Sequence, residues 1–174
     1  MAAMQNTNWK EFSNNQLTHS GAHYLMAIHE VHEEQGYARL SDIAARLNIS
    51  KGSLSTSLKS LMKKGLILED QNKHLSLSEE GQNLAENIES THTIASQFFI
   101  DVLGVEPETA DIDACKIEHL LSTQTSNKLL QLTKALEKNP KLLEEIKADL
   151  ENHQNCSIEE CKVCINKHKC QDQQ

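Results

Sequence analysis

Aromatic residues are nearly missing from this chain: one tryptophan, two tyrosines and three phenylalanines among 174 residues. With 38% hydrophobic residues, the core must be aliphatic and modest. Two prolines and six glycines leave little material for tight turns and imply long helices. No stretch approaches the roughly 18 consecutive apolar residues of a membrane span. The opening residues MAAMQNTNWKEF lack the apolar run of a secretory signal, so a cytoplasmic protein with no membrane association is expected.

Positive charge is scarce as well. The net charge of −8 argues against a nucleic-acid partner, because phosphate contacts need cations. The distribution reverses that conclusion locally. Between residues 37 and 65 lie Arg39, Arg46, Lys51, Lys59, Lys63 and Lys64, against a single acid, Asp42. A basic island is a better mark of a DNA-facing surface than a basic average.

What the chain does contain is helical periodicity. Over 15–34, Leu17, Leu25, Ile28 and Val31 recur at helical spacing, and Gly36 breaks the run. A short helix comes next, with Ser41 as its expected N-cap and Ile43, Ala44 and Leu47 on one face. A third helix, KGSLSTSLKSLMKKG, would bury Leu54, Leu58 and Leu61 and end at Gly65. LILED and HLSLS then read as strands over 66–69 and 74–77, joined by a polar turn. Three helices and then a hairpin is the order of a winged helix-turn-helix, in which the second helix of the pair enters the major groove.

The exposed face of that third helix is rich in Ser and Thr, which are poor helix formers. It is either an ordinary solvated face or a surface offering small hydroxyls to base edges and phosphates, with lysines on the backbone. The basic island favours the second. Arg39, Ser50, Lys51, Gly52, Ser53, Ser55, Thr56 and Lys59 are the candidate DNA contacts.

From Ser78, expected as an N-cap with acids in the first turn, one helix should run to residue 103. Leu84, Ile88, Ile94, Phe98 and Leu103 would form its core side. Further helices are expected over 107–122, over SNKLLQLTKALEK up to Asn139–Pro140, and over KLLEEIKADLEN. Within the first of these, DACKIEHLLS places Cys115, Glu118 and His119 at offsets of three and four, hence on one face. A core face would carry Leu or Ile there; this one carries three metal-ligating groups. Cys115 and His119 could imitate a nucleophile pair, but the chain has no glycine loop to stabilise an oxyanion, and ligation suits the spacing better than catalysis. No enzyme is expected.

The other four cysteines crowd near the C-terminus as C-x4-C-x2-C-x5-C: Cys156, Cys161, Cys164 and Cys170. Four thiolates make a full ligand set for one Zn²⁺ or for an iron–sulfur cluster, with 4Fe-4S the favoured form. A disordered thiol-rich tail is the bland alternative.

GYARLSDIAARLNIS, KKGLILED and THTIASQFF…VLGVE…DACKIEHLLS together resemble the DtxR/MntR group of metal-dependent transcriptional repressors, over residues 18–136. That resemblance implies a homodimer that binds double-stranded operator DNA with metal as co-repressor. Position by position it implies a metal set of His23, His92, Cys115, Glu118 and His119. His23 stands where relatives carry Met or Asp. Met26 replaces a carboxylate of manganese-type members and Ser96 a glutamate of an accessory iron-type site, which favours one metal per chain. No counterpart of the SH3-like third domain of longer members is expected. His19, His29, His32, His74 and His153 read as ordinary surface histidines.

Imidazoles and a thiolate are softer than the oxygen-rich sets that suit Mn²⁺, so Fe²⁺ is favoured, with Mn²⁺, Co²⁺, Ni²⁺ and Zn²⁺ as alternatives. The tail is similar to the cysteine loop of FeoC, the winged-helix accessory protein of ferrous-iron transport, and its last three cysteines to fumarate–nitrate-type oxygen regulators. The expected fold is mainly α: a winged helix-turn-helix over 1–78, a helical metal-binding and dimerisation domain over 79–152, and a cysteine-rich tail over 153–174. The expected function is metal-responsive repression of ferrous-iron uptake genes, with the tail as a second input. The alternative is an iron–sulfur or zinc accessory protein of iron transport or cluster assembly that binds a protein partner instead of DNA.

Overall fold

The computed structural model describes residues 17–152. The chain runs α1 (His19–Gln35), β1 (Ala38–Arg39), α2 (Leu40–Arg46), α3 (Lys51–Lys63), β2 (Ile67–Glu69) and β3 (His74–Leu77). It continues through α4 (Glu79–Gln97), a π-helical turn (Phe98–Val102), α5 (Pro107–Ile117), α6 (Thr123–Glu137) and α7 (Pro140–Asn152). It is mainly α, a winged helix-turn-helix and then a helical half, as the sequence pattern implies. Among the described residues no helix is long and apolar enough to cross a membrane. The four-cysteine tail lies outside the described residues.

The N-terminal half has one aliphatic core. Leu25, Ile28 and Val31 of α1, Ile43 of α2 and Leu54, Leu58 and Leu61 of α3 are buried together with Leu66 and Leu75 of the hairpin. The stripe on α3 falls at offsets of four and three, so one face packs inward and the Ser/Thr/Lys face stays outside. Thr18 caps α1, its Oγ1 accepting the Gly21 N–H at 3.1 Å. Ser50 caps α3 by accepting the Ser53 N–H at 3.2 Å. At the far end of α3, Gly65 takes φ +75. Its N–H donates to the Met62 carbonyl and the Leu66 N–H to the Leu61 carbonyl, the paired bonds of a Schellman turn.

Ser41 is not the cap of α2. That helix starts one residue earlier at Leu40, its N-cap is Arg39 without a side-chain cap bond, and the Ser41 hydroxyl donates to Asp42 instead. Strand β1 feeds straight into α2 with no intervening loop, which leaves Ser41 inside the first turn.

The strands form one antiparallel sheet in the order β1-β3-β2, with Ala38 opposite Leu75 and Ile67 opposite Leu77. The hairpin lacks an Asn-Gly turn because Asp70 does that work with its side chain. Its Oδ1 accepts the N–H groups of both Asn72 and His74 at 2.8 Å. These bonds favour the ionised carboxyl and hold Asp70 below the usual carboxylate range.

In the second half α4 is the central rod. Ser78 caps it by accepting the Gly81 N–H at 3.0 Å. Its buried residues, Ala85, Ile88, Thr91 and Ala95, are mostly small, as are Ala110 and Ala114 on α5. Small side chains let the helices approach closely where aromatics are scarce. The Thr91 and Ser126 hydroxyls bond at 3.2 Å, tying α4 to α6 in the buried interior.

The long helix expected to run to residue 103 does not stay α-helical. After Gln97 it widens into the π turn, where the Leu103 N–H reaches back to the Phe98 carbonyl. A wide turn inserts a residue and rotates the side chains beyond it. Ile88 is buried as expected, but Leu103 is 41% exposed.

One contact welds the halves. A Cβ added to Gly81 would lie 2.1 Å from the Leu66 carbonyl oxygen, a backbone atom with no freedom to move aside. Gly81→Ala is therefore expected to lower stability by about 1–3 kcal/mol, the range for forced overpacking, measured by urea unfolding of the metal-free protein. An unchanged midpoint would show that α4 is free to shift off the hairpin.

Candidate metal centre and nucleic-acid interface

Helix α1 belongs to the winged-helix half, yet its first two turns lie against α5. His23 Nε2 is 3.3 Å from Cys115 Sγ and 4.0 Å from Glu118 Oε1. One ligand atom from each of His19, His23, Cys115 and Glu118 can be chosen so that all lie within 4.8 Å of one another. Donors at about 2.0–2.3 Å from a common ion sit roughly 3–4.5 Å apart, so the group is within a few tenths of an ångström of the spacing one ion needs.

Glu118 is the innermost member, 2% exposed. Its Oε2 is 2.8 Å from His92 Nδ1, whereas Oε1 is buried with no hydrogen-bond partner. A buried carboxylate oxygen left without a partner is costly, and the residues present fit a cation on that side. Burial pushes the Cys115 thiol up from its ordinary pKa, and the negative charges of Glu118 and Asp111 push it further. Burial pushes His119 down, reinforced by His19 and opposed by Glu118, which favours the neutral, ligating form of the ring.

The five metal residues expected from the sequence do not form one cluster. His23, Cys115 and Glu118 come together. His92 stands behind Glu118: its Nδ1 faces Glu118 and its Nε2 lies 3.0 Å from Asp111 Oδ1, so both ring nitrogens are engaged by carboxylates. His119 falls in the turn after α5, where its ring centroid lies 5.2 Å from that of His19. His19, by sequence an ordinary surface histidine, is exposed but belongs to the group. Sequence reasoning also misses Asp111. Both have a legible signal: His19 is one helical turn before His23, and Asp111 one turn before Cys115.

The candidate DNA surface is contiguous in sequence and open. Lys51, Gly52, Ser53, Thr56 and Lys59 are exposed along the outer face of α3. Ser55 is half-buried, and Ser50 is held in its capping bond. Thr56 Oγ1 donates to the Gly52 carbonyl at 3.1 Å, which fixes its rotamer and leaves the oxygen's acceptor capacity outward. Arg39 lies 5.2 Å over the Tyr37 ring. Arg46 leaves the basic island, since its guanidinium pairs with Glu30 at 2.6 Å and with Glu34, both on α1.

Comparison with known proteins places both halves. Residues 16–75 match the domain described as iron dependent repressor, N-terminal DNA binding domain. Residues 78–147 match the iron dependent repressor, metal binding and dimerisation domain. The chain belongs to this iron-dependent repressor family, the DtxR/MntR group of metal-responsive DNA-binding transcriptional repressors, which are not enzymes.

It is 28% identical over 130 residues to the HTH-type transcriptional regulator MntR of Lysinibacillus sphaericus, covering 75% of this chain and 93% of that one. It is 29% identical over 118 residues to the iron-dependent repressor IdeR of Mycobacterium tuberculosis, covering 68% of this chain and 51% of the relative. The match thus spans about half the length of the IdeR relatives. In fold it is similar to the manganese regulator SloR, with a TM-score of 0.58 and 24% identity over 65% of this chain and 53% of that one. The accessory-protein alternative, which would bind no DNA, is not what these two domains describe.

The open face of α3 generates a test. Lys51→Ala and Thr56→Ala are expected to weaken operator binding without altering metal affinity. Lys51→Ala should also lower the slope of log affinity against log salt by about one, as for a lost phosphate contact. Retained DNA affinity in both variants would remove α3 from the reading role.

Proposed function

We propose that this chain is an iron-sensing repressor of ferrous-iron uptake genes, acting in the cytoplasm as a homodimer on double-stranded operator DNA. The observation that carries the proposal is the 3.3 Å approach of His23 Nε2 to Cys115 Sγ, which brings a donor of the winged-helix half against donors of the helical half. Exposed apolar side chains on α5–α7 (Ile112, Leu132, Leu142 and Leu150) support a self-associating surface there.

His23, Cys115 and Glu118 would hold the cation, with His92 orienting Glu118 from behind and His119 at the margin. A divalent cation supplies positive charge where a thiol and a buried carboxylate face each other. The mixture of imidazole, thiolate and carboxylate supports Fe²⁺, with Mn²⁺, Co²⁺, Ni²⁺ and Zn²⁺ as competitors.

Coupling to DNA comes from placement. His23 sits on the helix that carries the α3 reading head through the shared aliphatic core, and Cys115 and Glu118 sit on the scaffold. Drawing them together fixes one orientation of the head. Two heads in a dimer must meet half-sites roughly 34–36 Å apart, so fixing orientation selects the DNA-competent spacing. Differential metal affinity for that state is the coupling energy.

In a gel-shift titration with Fe²⁺ under anaerobic conditions, the parent protein should show metal-stimulated operator binding within the usual 5–150-fold range of about 1–3 kcal/mol coupling. Cys115→Ala and His23→Ala should abolish the stimulation while leaving metal-independent binding in place. Stimulation equal to the parent's in both would remove these residues from the sensor.

The tail is proposed as a second input. Cys156, Cys161, Cys164 and Cys170 supply a complete set for a 4Fe-4S cluster or Zn²⁺. Protein purified without oxygen should absorb broadly near roughly 400 nm and contain matching iron and acid-labile sulfide if a cluster is bound. Colourless protein with zinc and no sulfide would make the tail a zinc site.

A further inference from the structure

We propose that His19 is a direct ligand of the interdomain metal and that His92 is not, so that the ion is held by two imidazoles from α1, the thiolate of α5 and the carboxylate of its C-cap. The inference rests on the metal-sensing reading above and assigns the composition of its site.

On α1, His19 and His23 are four residues apart, so their rings project from the same face one above the other. Their centroids are 4.5 Å apart at an interplanar angle of 85°. The two rings meet edge to face instead of stacking. One nitrogen of each lies beside Cys115 and Glu118, since ligand atoms of all four residues fall within 4.8 Å of each other. His19 is exposed while Glu118 is buried, so the group runs from the surface inward with its uncompensated oxygen at the bottom.

The same geometry keeps His92 out. An imidazole can bind a metal only through a nitrogen lone pair. One ring nitrogen of His92 is 2.8 Å from Glu118 and the other 3.0 Å from Asp111. It is therefore placed as an outer partner, a histidine between two carboxylates that orients the ligating one. Recruiting it would break a hydrogen bond to Glu118, whereas recruiting His19 breaks no bond within the group.

The composition also bears on selectivity. Two nitrogens, one sulfur and one oxygen make a four-donor set of borderline softness. Such a set suits four-coordinate Zn²⁺, Co²⁺ or Fe²⁺ and disfavours Mn²⁺, which prefers oxygen-rich, six-coordinate surroundings. His19 thus acts as a selectivity residue as well as a ligand.

The test is an anaerobic Co²⁺ titration of the full chain with Cys156, Cys161, Cys164 and Cys170 all changed to Ser, so that only the interdomain site reports. The parent should give the intense visible bands of four-coordinate Co²⁺ and a sulfur-to-cobalt charge-transfer band. His19→Ala should weaken the visible bands toward the pattern of higher, water-filled coordination, lower Co²⁺ affinity by about 100-fold or more, and change Mn²⁺ affinity by less. His92→Ala should lower affinity by the roughly 10–100-fold typical of an outer partner while keeping the parent spectrum. Parent-like bands in His19→Ala, or altered bands in His92→Ala, overturn the proposal. Cys115→Ser separates this from failure of the underlying reading. Loss of its charge-transfer band leaves the interdomain site standing, and an unchanged or absent band in both parent and variant sinks that reading with it.

Discussion

A carboxylate with 2% exposure is an expensive thing to bury, and the packing of three helices is organised around the compensation of Glu118. Taking a charged oxygen out of water costs several kcal/mol unless partners replace the solvent. Helix α4 sends His92 to one oxygen at 2.8 Å. Helix α1 sends His23 toward the other at 4.0 Å, a distance too long for a hydrogen bond. The asymmetry divides the labour. The oxygen facing α4 is satisfied within the helical half, and the one facing α1 is left for something that arrives between the halves.

This division explains why the second half can do with so little hydrophobic bulk. Its buried positions are mostly small, Ala85, Ala95, Ala110 and Ala114, beside Ile88, Val102 and Leu136, with Thr91, Ser126 and Thr133 as buried polar residues. Alanine packing brings backbones close but removes little apolar area per residue from water. The larger aliphatic side chains are concentrated in the winged-helix core. The reading head is consequently a well-packed body, joined to the scaffold by Ala85 and Ile88 of α4 in its own core, by the Gly81–Leu66 contact and by the polar cluster.

Much of the fold is legible in the sequence, and the exceptions have physical causes. The stripe Leu54, Leu58, Leu61, the cap at Ser78 and the stop at Gly65 are local signals, and local structure obeys them. Cys115 and Glu118 share a face because Glu118, the C-cap of α5, keeps right-handed helical backbone angles just under one turn after Cys115. Ser41 fails as a cap because pairing of Ala38 with Leu75 fixes where α2 can begin, a tertiary constraint with no local trace. Leu103 turns outward because the π turn shifts the helical phase after Gln97, and periodicity assumes a constant phase. His19 and Asp111 escape sequence reasoning for a different reason. The one-turn spacings of His19 to His23 and of Asp111 to Cys115 are visible in the sequence, but only the approach of α1 to α5 turns them into a shared site. His92 borders the same cluster, but its two carboxylate partners lie some twenty residues further along the chain, and no local pattern reveals them.

The close approach of Gly81 to the Leu66 carbonyl has a mechanical meaning. Helix α4 is 19 residues long, a rod of about 28 Å at 1.5 Å per residue, with its start welded to the root of the wing and His92 in its second half. It works as a lever with the fulcrum at the hairpin. His92 lies 11 residues beyond Gly81, about 16 Å along the rod, so a tilt of about 5° displaces it by about 1.4 Å. A shift of an ångström or two at His92 and a few degrees of swing in the winged-helix half that carries α3 would therefore be the same motion seen from two places on one helix.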